Sequence, residues 1–164
     1  MSARAAVERV CREDRARLLA DQDRTRWDGA EIAEGMALLD RALRHGGSGP
    51  YRLQAAIAAL HLGARPDWPR IAALYAELLV VAPGPVVALN HAVAVAMTSG
   101  PRRGLALIDQ IEGLDRYHLL HAARADLLRR LGRAEEAAAA YRRAHELAGE
   151  PADRLFLEHR LETT

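Results

Sequence analysis

Clusters of glycine and proline cut this chain into short pieces, and no other sequence feature constrains its fold as strongly. The breaks lie at 44–50, 63–67, 82–85, 98–101, 112–115, 131–133 and 148–151. Between them, Val, Ile and Leu recur at helical spacing, and alanine is abundant. The pieces are about 12 to 18 residues long, which is usual for globular helices. The pattern predicts an all-α protein of eight or nine helices, with short connections that make consecutive helices antiparallel.

Near its C-terminal end the chain carries a regularly spaced set of packing residues. Gly132 stands in a predicted turn, Ala137, Tyr141 and Ala144 follow at spacings of four and three, and Pro151 closes the unit. The small alanines allow two helices to approach closely, while the tyrosine fills the gap between one helix pair and the next. This spacing is close to the second half of a tetratricopeptide repeat.

Degenerate copies of the same frame occur earlier in the chain. They are Ile71, Tyr75 and Leu78 before Pro83, and Leu105 and Asp109 after Gly100. Because the units stay near about 34 residues, we expect antiparallel helix pairs stacked as a short tetratricopeptide-like right-handed superhelix with three pairs. Residues 1–20 are expected to be an N-terminal helical lead-in or the remnant of a linker, and residues 21–164 the helical repeat domain.

Charge and composition exclude several function classes. The 23 basic residues nearly balance the 22 acidic ones, so no whole-chain field would attract nucleic acid or an anionic membrane. Every basic residue is Arg, which removes lysine Schiff-base chemistry and a Walker lysine. Cys11 is the single cysteine, so neither an internal disulfide nor a thiolate metal cluster is expected. With no apolar run long enough for a signal peptide or membrane span, we expect a cytoplasmic protein.

The segment 85–97 is apolar nearly all round, which predicts a helix enclosed by other helices. In tetratricopeptide repeats the first helix of each pair lines a concave groove, and the frame above points Asn90, Asp126 and Arg129 into it. These three residues are therefore candidates for ligand contact. The alternative for Asn90 is that its amide satisfies a neighbouring buried carbonyl.

The sequence contains no convincing catalytic or metal-binding motif. His118 and His121 lie at i and i+3 on one predicted helix, but no third ligand or HExxH pattern accompanies them, so packing beside Tyr117 is favoured over a metal site. Serine is scarce, and no serine with a neighbouring base stands out. We expect a non-enzymatic protein without a cofactor.

The stretch "DQDRTRWD" at 21–28 resembles two chemical motifs superficially. Its DxDxT spelling matches the aspartyl-phosphate phosphatases, but that chemistry needs a preceding parallel strand and a distant lysine. A calcium loop starting at Asp21 would require glycine where Arg26 stands and glutamate where Ile32 stands. Both interpretations are therefore rejected.

A helix cap accounts for part of the same stretch. Asp28 can act as N-cap, with Glu31 as its capping-box partner and Trp27 facing Ile32 as a hydrophobic staple. The remaining charged residues have no local structural role and are candidates for partner contact: Asp21, Asp23, Arg24 and Arg26.

Several runs together carry a family resemblance. The stretches "DQDRTRWD", "GPYRLQAAIAALH", "APGPVVALNHAVAVAM" and "YHLLHAARADLLRRLGR" resemble, in order and spacing, the tetratricopeptide-like C-terminal extension of one group of extracytoplasmic-function (ECF) sigma factors. The match runs from about Asp21 to about Leu161. It implies a regulatory module that tunes transcription initiation through contacts with sigma regions or RNA polymerase.

This chain departs from that family by lacking sigma regions two and four, which melt and read the promoter. We therefore expect no promoter binding by this chain alone, and a protein partner instead of nucleic acid or membrane. A second hypothesis stays open, in which the chain is a free-standing adaptor that binds a peptide or small ligand in its concave groove.

Overall fold

The computed structural model describes residues 49–62 and 66–164, and all regular secondary structure in these ranges is helical. It contains seven helices there, where the sequence predicts eight or nine for the whole chain. They are α1 (Pro50–Leu62), α2 (Trp68–Val81), α3 (Pro85–Ser99), α4 (Pro101–Ile108), α5 (His118–Arg130), α6 (Ala134–Leu147) and α7 (Pro151–Glu162). The all-α prediction is confirmed for these residues. None of these helices is long and apolar enough to cross a lipid bilayer.

The helices begin at or within three residues of the predicted breaks. Four of them start with proline, whose missing N–H costs no intrahelical hydrogen bond at that position: Pro50, Pro85, Pro101 and Pro151. Helix α2 is capped instead by Asp67, whose Oδ1 accepts a hydrogen bond from the backbone N–H of Arg70 at 3.1 Å. Gly100 and Gly132 have φ of 92° and 74°, a left-handed backbone that other residues adopt only with strain.

The described residues group into two compact units. The first unit holds α1 to α4 with the residues up to Asp115, together with the turn Arg130–Gly132. The second unit holds Arg116–Arg129 and Arg133–Thr164, and so contains nearly all of α5 with α6 and α7.

In the first unit, α2 packs against both α1 and α3, and α3 packs against α4. The core contains Ile57 of α1, Ile71 and Leu78 of α2, and Ala94 of α3, all at most 4% exposed. Tyr75 is half-buried and packs against this cluster. Burying a large aliphatic side chain stabilises a fold by about 1.5–3 kcal/mol, so the face predicted from residues 71, 75 and 78 anchors α2 as expected.

Helix α3 is less enclosed than its sequence predicts. Its buried residues are Leu89 and the three alanines Ala92, Ala94 and Ala96. At its two ends, Val86 and Met97 are 43% and 40% exposed. The prediction of helices on several sides is therefore wrong at the ends of α3, because the alanines supply the contacts to α2 and α4 while the larger residues reach solvent.

The approach of α4 to α3 depends on a glycine. A Cβ at Gly104 would lie 2.8 Å from the carbonyl oxygen of Ala92 and would clash with the Cβ of Ala96. Ala92 and Ala96 are both fully buried. Because both neighbours are backbone or Cβ atoms, they have no rotamer by which to move away. Gly104 therefore sets the spacing between the two helices.

The core of the second unit follows the predicted repeat spacing. Ala137, Tyr141 and Ala144 form one face of α6 and are at most 1% exposed. Tyr141 and Ala144 cluster with Ala125 of α5 and Leu157 of α7. Tyr141 thus packs with residues of α5 and α7, and its predicted role between one helix pair and the next stays a prediction.

Candidate functional site

The structure describes some of the residues that the sequence predicts as contact or capping residues, and not others. The "DQDRTRWD" stretch and its cap lie outside the described residues, so both the contact and the capping roles stay predictions. These residues are Asp21, Asp23, Arg24, Arg26, Trp27, Asp28 and Glu31.

Asn90 lies on the surface of α3. It is exposed, whereas its neighbours Leu89 and Ala92 are buried. An exposed amide is not enclosed with a buried carbonyl, which removes the structural reason for the alternative role. Ligand contact by Asn90 stays a prediction.

Asp126 and Arg129 lie one turn apart on α5 and form an ion pair. Arg129 Nη2 donates to Asp126 Oδ1 at 2.8 Å, with the two side chains 38% and 25% exposed. The hydrogen bond to Asp126 is the main reason why the pKa of Arg129 is raised, and partial burial opposes it. Asp126 and Arg129, two of the three residues predicted to line the concave groove of the repeat, therefore lie together. The third, Asn90, belongs to the other unit.

The same ion pair has a structural partner in Tyr141. Burial raises the pKa of the Tyr141 phenol, the charge of Asp126 adds to that effect, and a hydrogen bond with Arg129 opposes it. A buried phenol needs a polar partner because an unsatisfied hydroxyl costs about 1–3 kcal/mol. Arg129 supplies that partner and Asp126 holds the guanidinium in place. The pair thus contacts the core around Tyr141, which the sequence did not indicate, and ligand contact by Asp126 and Arg129 stays a prediction.

Histidines of the second unit pair with acids on α7. His118 Nε2 lies 3.3 Å from Asp153 Oδ2. Its ring meets the Tyr117 ring edge-on, with centroids 5.8 Å apart, so the predicted packing beside Tyr117 is confirmed. His145 Nε2 similarly lies 3.0 Å from a carboxylate oxygen of Glu158. Among the described residues, no group of three or more His, Cys, Asp or Glu side chains could hold a metal ion.

An open groove of about 530 Å³ lies within the first unit. It is bounded by the C-terminal end of α2, the α2–α3 connection, the N-terminal half of α3, and the C-terminal end of α4 with the residues after it. Its lining comprises Leu79, Pro83, Gly84, Pro85, Ala88, His91, Leu107, Gln110, Ile111 and Glu112. This groove, named the α2–α4 groove, is the candidate functional site.

The α2–α4 groove combines an apolar lining with a few polar groups. Its walls are mainly aliphatic or proline, and its two ionisable groups are His91 and Glu112. Partial burial lowers the pKa of His91, which keeps the imidazole neutral near pH 7, able to donate one hydrogen bond and accept another. Among the described lining residues there is no hydroxyl, thiol or amine nucleophile. The geometry offers an apolar cleft with a few polar groups, as recognition sites do.

The sequence candidate nearest to this groove is Asn90 on α3. Asn90 does not line the groove, but its neighbour His91 does. The "APGP" break indicates that the end of α2 and the start of α3 lie close together. Nothing in the local sequence indicates that Gln110 and Glu112 join them, because that depends on how α4 packs on α3.

Comparison with known proteins gives one long match. The chain is 45% identical over 150 residues to an uncharacterized protein of Rhizobium meliloti (strain 1021). The match covers 88% of this chain and 36% of that relative, so the chain spans about a third of the relative's length. No protein-family model matches the chain. No solved structure matches it.

Proposed function

We propose that this chain is a non-catalytic regulatory module that acts through protein contacts, and that its partners are the sigma regions or the core RNA polymerase of an ECF-type initiation system. The family resemblance of the sequence leads to this proposal. One structural observation supports it most: Ala137, Tyr141 and Ala144, at the spacing of a tetratricopeptide repeat, form a buried face of α6. Repeats of this kind commonly serve as binding scaffolds.

The proposal includes the finer architecture, a right-handed superhelix of three stacked helix pairs formed by residues 21–164. Two observations support it. Tyr75 and Tyr141 occupy equivalent positions in two helices, each beside buried residues at the spacing of the repeat. The connections between the described helices are also short, as stacked pairs require.

The length of the matched relative supports a modular role. Most of the Rhizobium meliloti protein lies outside the matched segment, so this kind of sequence occurs joined to further chain. In the sigma factors that the sequence resembles, regions two and four bind the promoter. The proposed module regulates that binding without contacting the promoter by itself.

The α2–α4 groove favours a second candidate function. A mainly apolar cleft of about 530 Å³ with one neutral imidazole suits a free-standing adaptor that captures a peptide or a small ligand. The two functions differ in their partner. The regulatory module recognises the transcription machinery, and the adaptor recognises an unrelated ligand.

Co-elution tests the regulatory proposal. The full chain is mixed at micromolar concentration with sigma regions two and four, and separately with core RNA polymerase, and each mixture is analysed by size-exclusion chromatography with light scattering. A stable complex with either is expected. Absence of both complexes contradicts the proposal and leaves the adaptor function.

A charge-matched pair of variants then tests the predicted contact residues. Arg24→Ala with Arg26→Ala should weaken the complex while the melting temperature is unchanged. Arg142→Ala with Arg143→Ala removes the same charge from an exposed face of α6 and should leave the complex intact. Equal weakening by both pairs would indicate a nonspecific charge effect.

A further inference from the structure

Arginine is missing from the segments that form the α2–α4 groove. Residues 71–100 and 104–115 contain no Arg or Lys, although the whole chain has 23 Arg. The same segments contain four acids, namely Glu77, Asp109, Glu112 and Asp115. Glu112 itself lines the groove and is exposed. A basic group brought to the groove by a partner would therefore meet the Glu112 carboxylate, and these segments supply no Arg or Lys to oppose it.

Two of the three helix ends at the groove are C-termini, which contribute negative partial charge. Leu79 and Leu107 line it from the last turns of α2 and α4, and neither of those turns contains a basic residue. A helix C-terminus has a partial charge of roughly minus one half, and the N-terminus of α3 contributes a similar positive value. Two C-terminal ends and the Glu112 carboxylate outweigh the single N-terminal end. The groove is therefore electronegative.

Aliphatic side chains form a large part of the groove lining. Leu79, Leu107 and Ile111 supply branched side chains to the groove. Val80 and Val81 directly follow Leu79 and are 82% and 53% exposed. Neighbouring exposed apolar side chains of this kind can mark an interaction surface. An occupant must consequently present an apolar side chain beside its positive charge. Anions such as phosphates match these walls poorly, because the described lining residues include no Arg or Lys.

We propose that the α2–α4 groove binds an extended segment of a partner protein in which an aliphatic side chain is adjacent to Arg or Lys. The aliphatic side chain enters the cleft between α2 and α4, and the basic side chain lies over Glu112 and the C-terminal helix ends. His91 contributes a neutral hydrogen bond to the peptide backbone. This inference rests on the proposed role in protein interaction and names the feature of the partner that is recognised.

Three short blocked peptides with a common Gly and Ser background test the proposal. One carries Leu-Arg, one carries Leu-Glu and one carries Ala-Arg at its centre. Each is titrated into the isotope-labelled full chain while NMR follows the His91 ring and the backbone amides of Ala88 and Glu112. Saturable shifts at these positions are expected with the Leu-Arg peptide, with affinities at least about fivefold weaker for the other two.

Matched variants show whether binding uses the groove. Ala88→Arg places a bulky cation in the lining and should weaken Leu-Arg binding by about tenfold or more. Ala106→Arg makes the same change at an exposed position of α4 that does not line the groove, and should have no effect. Glu112→Gln should weaken binding about two- to fivefold, whereas Glu77→Gln, outside the lining, should not.

The outcomes separate this inference from the proposed function. Equal binding of all three peptides, or Leu-Arg binding that survives Ala88→Arg, overturns the groove proposal. A complex with sigma regions or polymerase that also survives Ala88→Arg overturns it as well, while leaving the regulatory function intact. Leu-Arg binding that is lost in Ala88→Arg, with no complex with sigma regions or polymerase, supports the groove and contradicts the regulatory function.

Discussion

The two units of this protein are built on the same repeat spacing but differ in how they use charge. Among the described residues, the second unit contains five acid–base pairs, two of them involving histidine. In the first unit, the helices α2 and α3 have very few charges, and aliphatic residues reach solvent beside a groove. The difference agrees with the proposal that the partner surface lies on the first unit, at the α2–α4 groove.

The two tyrosines at equivalent repeat positions show the difference within the cores. Tyr141 is 1% exposed and is enclosed by α5, α6 and α7, while Tyr75 is half-buried. Burial raises the pKa of both phenols, and Tyr141 has in addition a hydrogen bond with Arg129. The second unit should therefore depend more strongly on its tyrosine.

Truncating these tyrosines should have the largest effect on stability. Tyr141→Ala removes a fully buried aromatic ring and is expected to cost about 3–5 kcal/mol in the free energy of unfolding. Tyr75→Ala removes a partly exposed ring and should cost less, about 1–3 kcal/mol. Urea unfolding of both variants measures the two costs. Equal costs, or a larger cost at Tyr75, would contradict the view that the second unit has the more tightly packed repeat.

Adding one methyl group at Gly104 should have the next largest effect. Gly104→Ala improves helix propensity by up to about 1 kcal/mol, but its Cβ clashes with α3. Overpacking against backbone atoms should dominate and destabilise the protein by about 1–3 kcal/mol. The control is Gly149→Ala in the second unit, where nothing lies within 4 Å of the added Cβ. If Gly104→Ala is as harmless as the control, then α3 and α4 are not held at this close distance.

The polar partner of Tyr141 should contribute a smaller amount. Tyr141→Phe keeps the ring but removes the acceptor of the Arg129 hydrogen bond, which should cost about 1 kcal/mol. A double-mutant cycle with Arg129→Ala should show a coupling energy of roughly 0.5 kcal/mol or more. Tyr75→Phe serves as control, because burial alone accounts for the raised pKa of Tyr75. A coupling energy near zero would mean that Asp126 and Arg129 are not needed for packing and are available to a ligand.

The pH dependence of His91 should be the smallest effect. Because burial lowers its pKa in the folded state, the unfolded chain binds more protons as the pH falls below about 6.5. The stabilising contribution of neutral His91 is therefore present above that pH and is lost as the pH falls through the lowered value. NMR titration of the ring should give a pKa below 6.5. His91→Gln should flatten the pH dependence of unfolding more than His159→Gln, a change at an exposed histidine of α7.

The sequence by itself determined the helical class and most of the helix boundaries. Proline at a first helical position and glycine with a left-handed backbone act locally, so Pro85, Pro101 and Gly132 could be interpreted without knowing what surrounds them. The spacing of Ala137, Tyr141 and Ala144 was equally informative, since residues three and four apart share a helix face. These features depend on near neighbours in the chain.

Tertiary structure alone decided the rest. The sequence predicts ligand contact by the Asp126–Arg129 pair, and only the structure places the buried phenol of Tyr141 within reach of its charges. The α2–α4 groove brings Glu112, which follows α4, together with Leu79 of α2 and His91 of α3. Gly104 sets how closely α4 approaches α3. Such contacts join residues far apart in the chain, and no local periodicity encodes them. Packing at long sequence separation is thus where this protein acquires its candidate site.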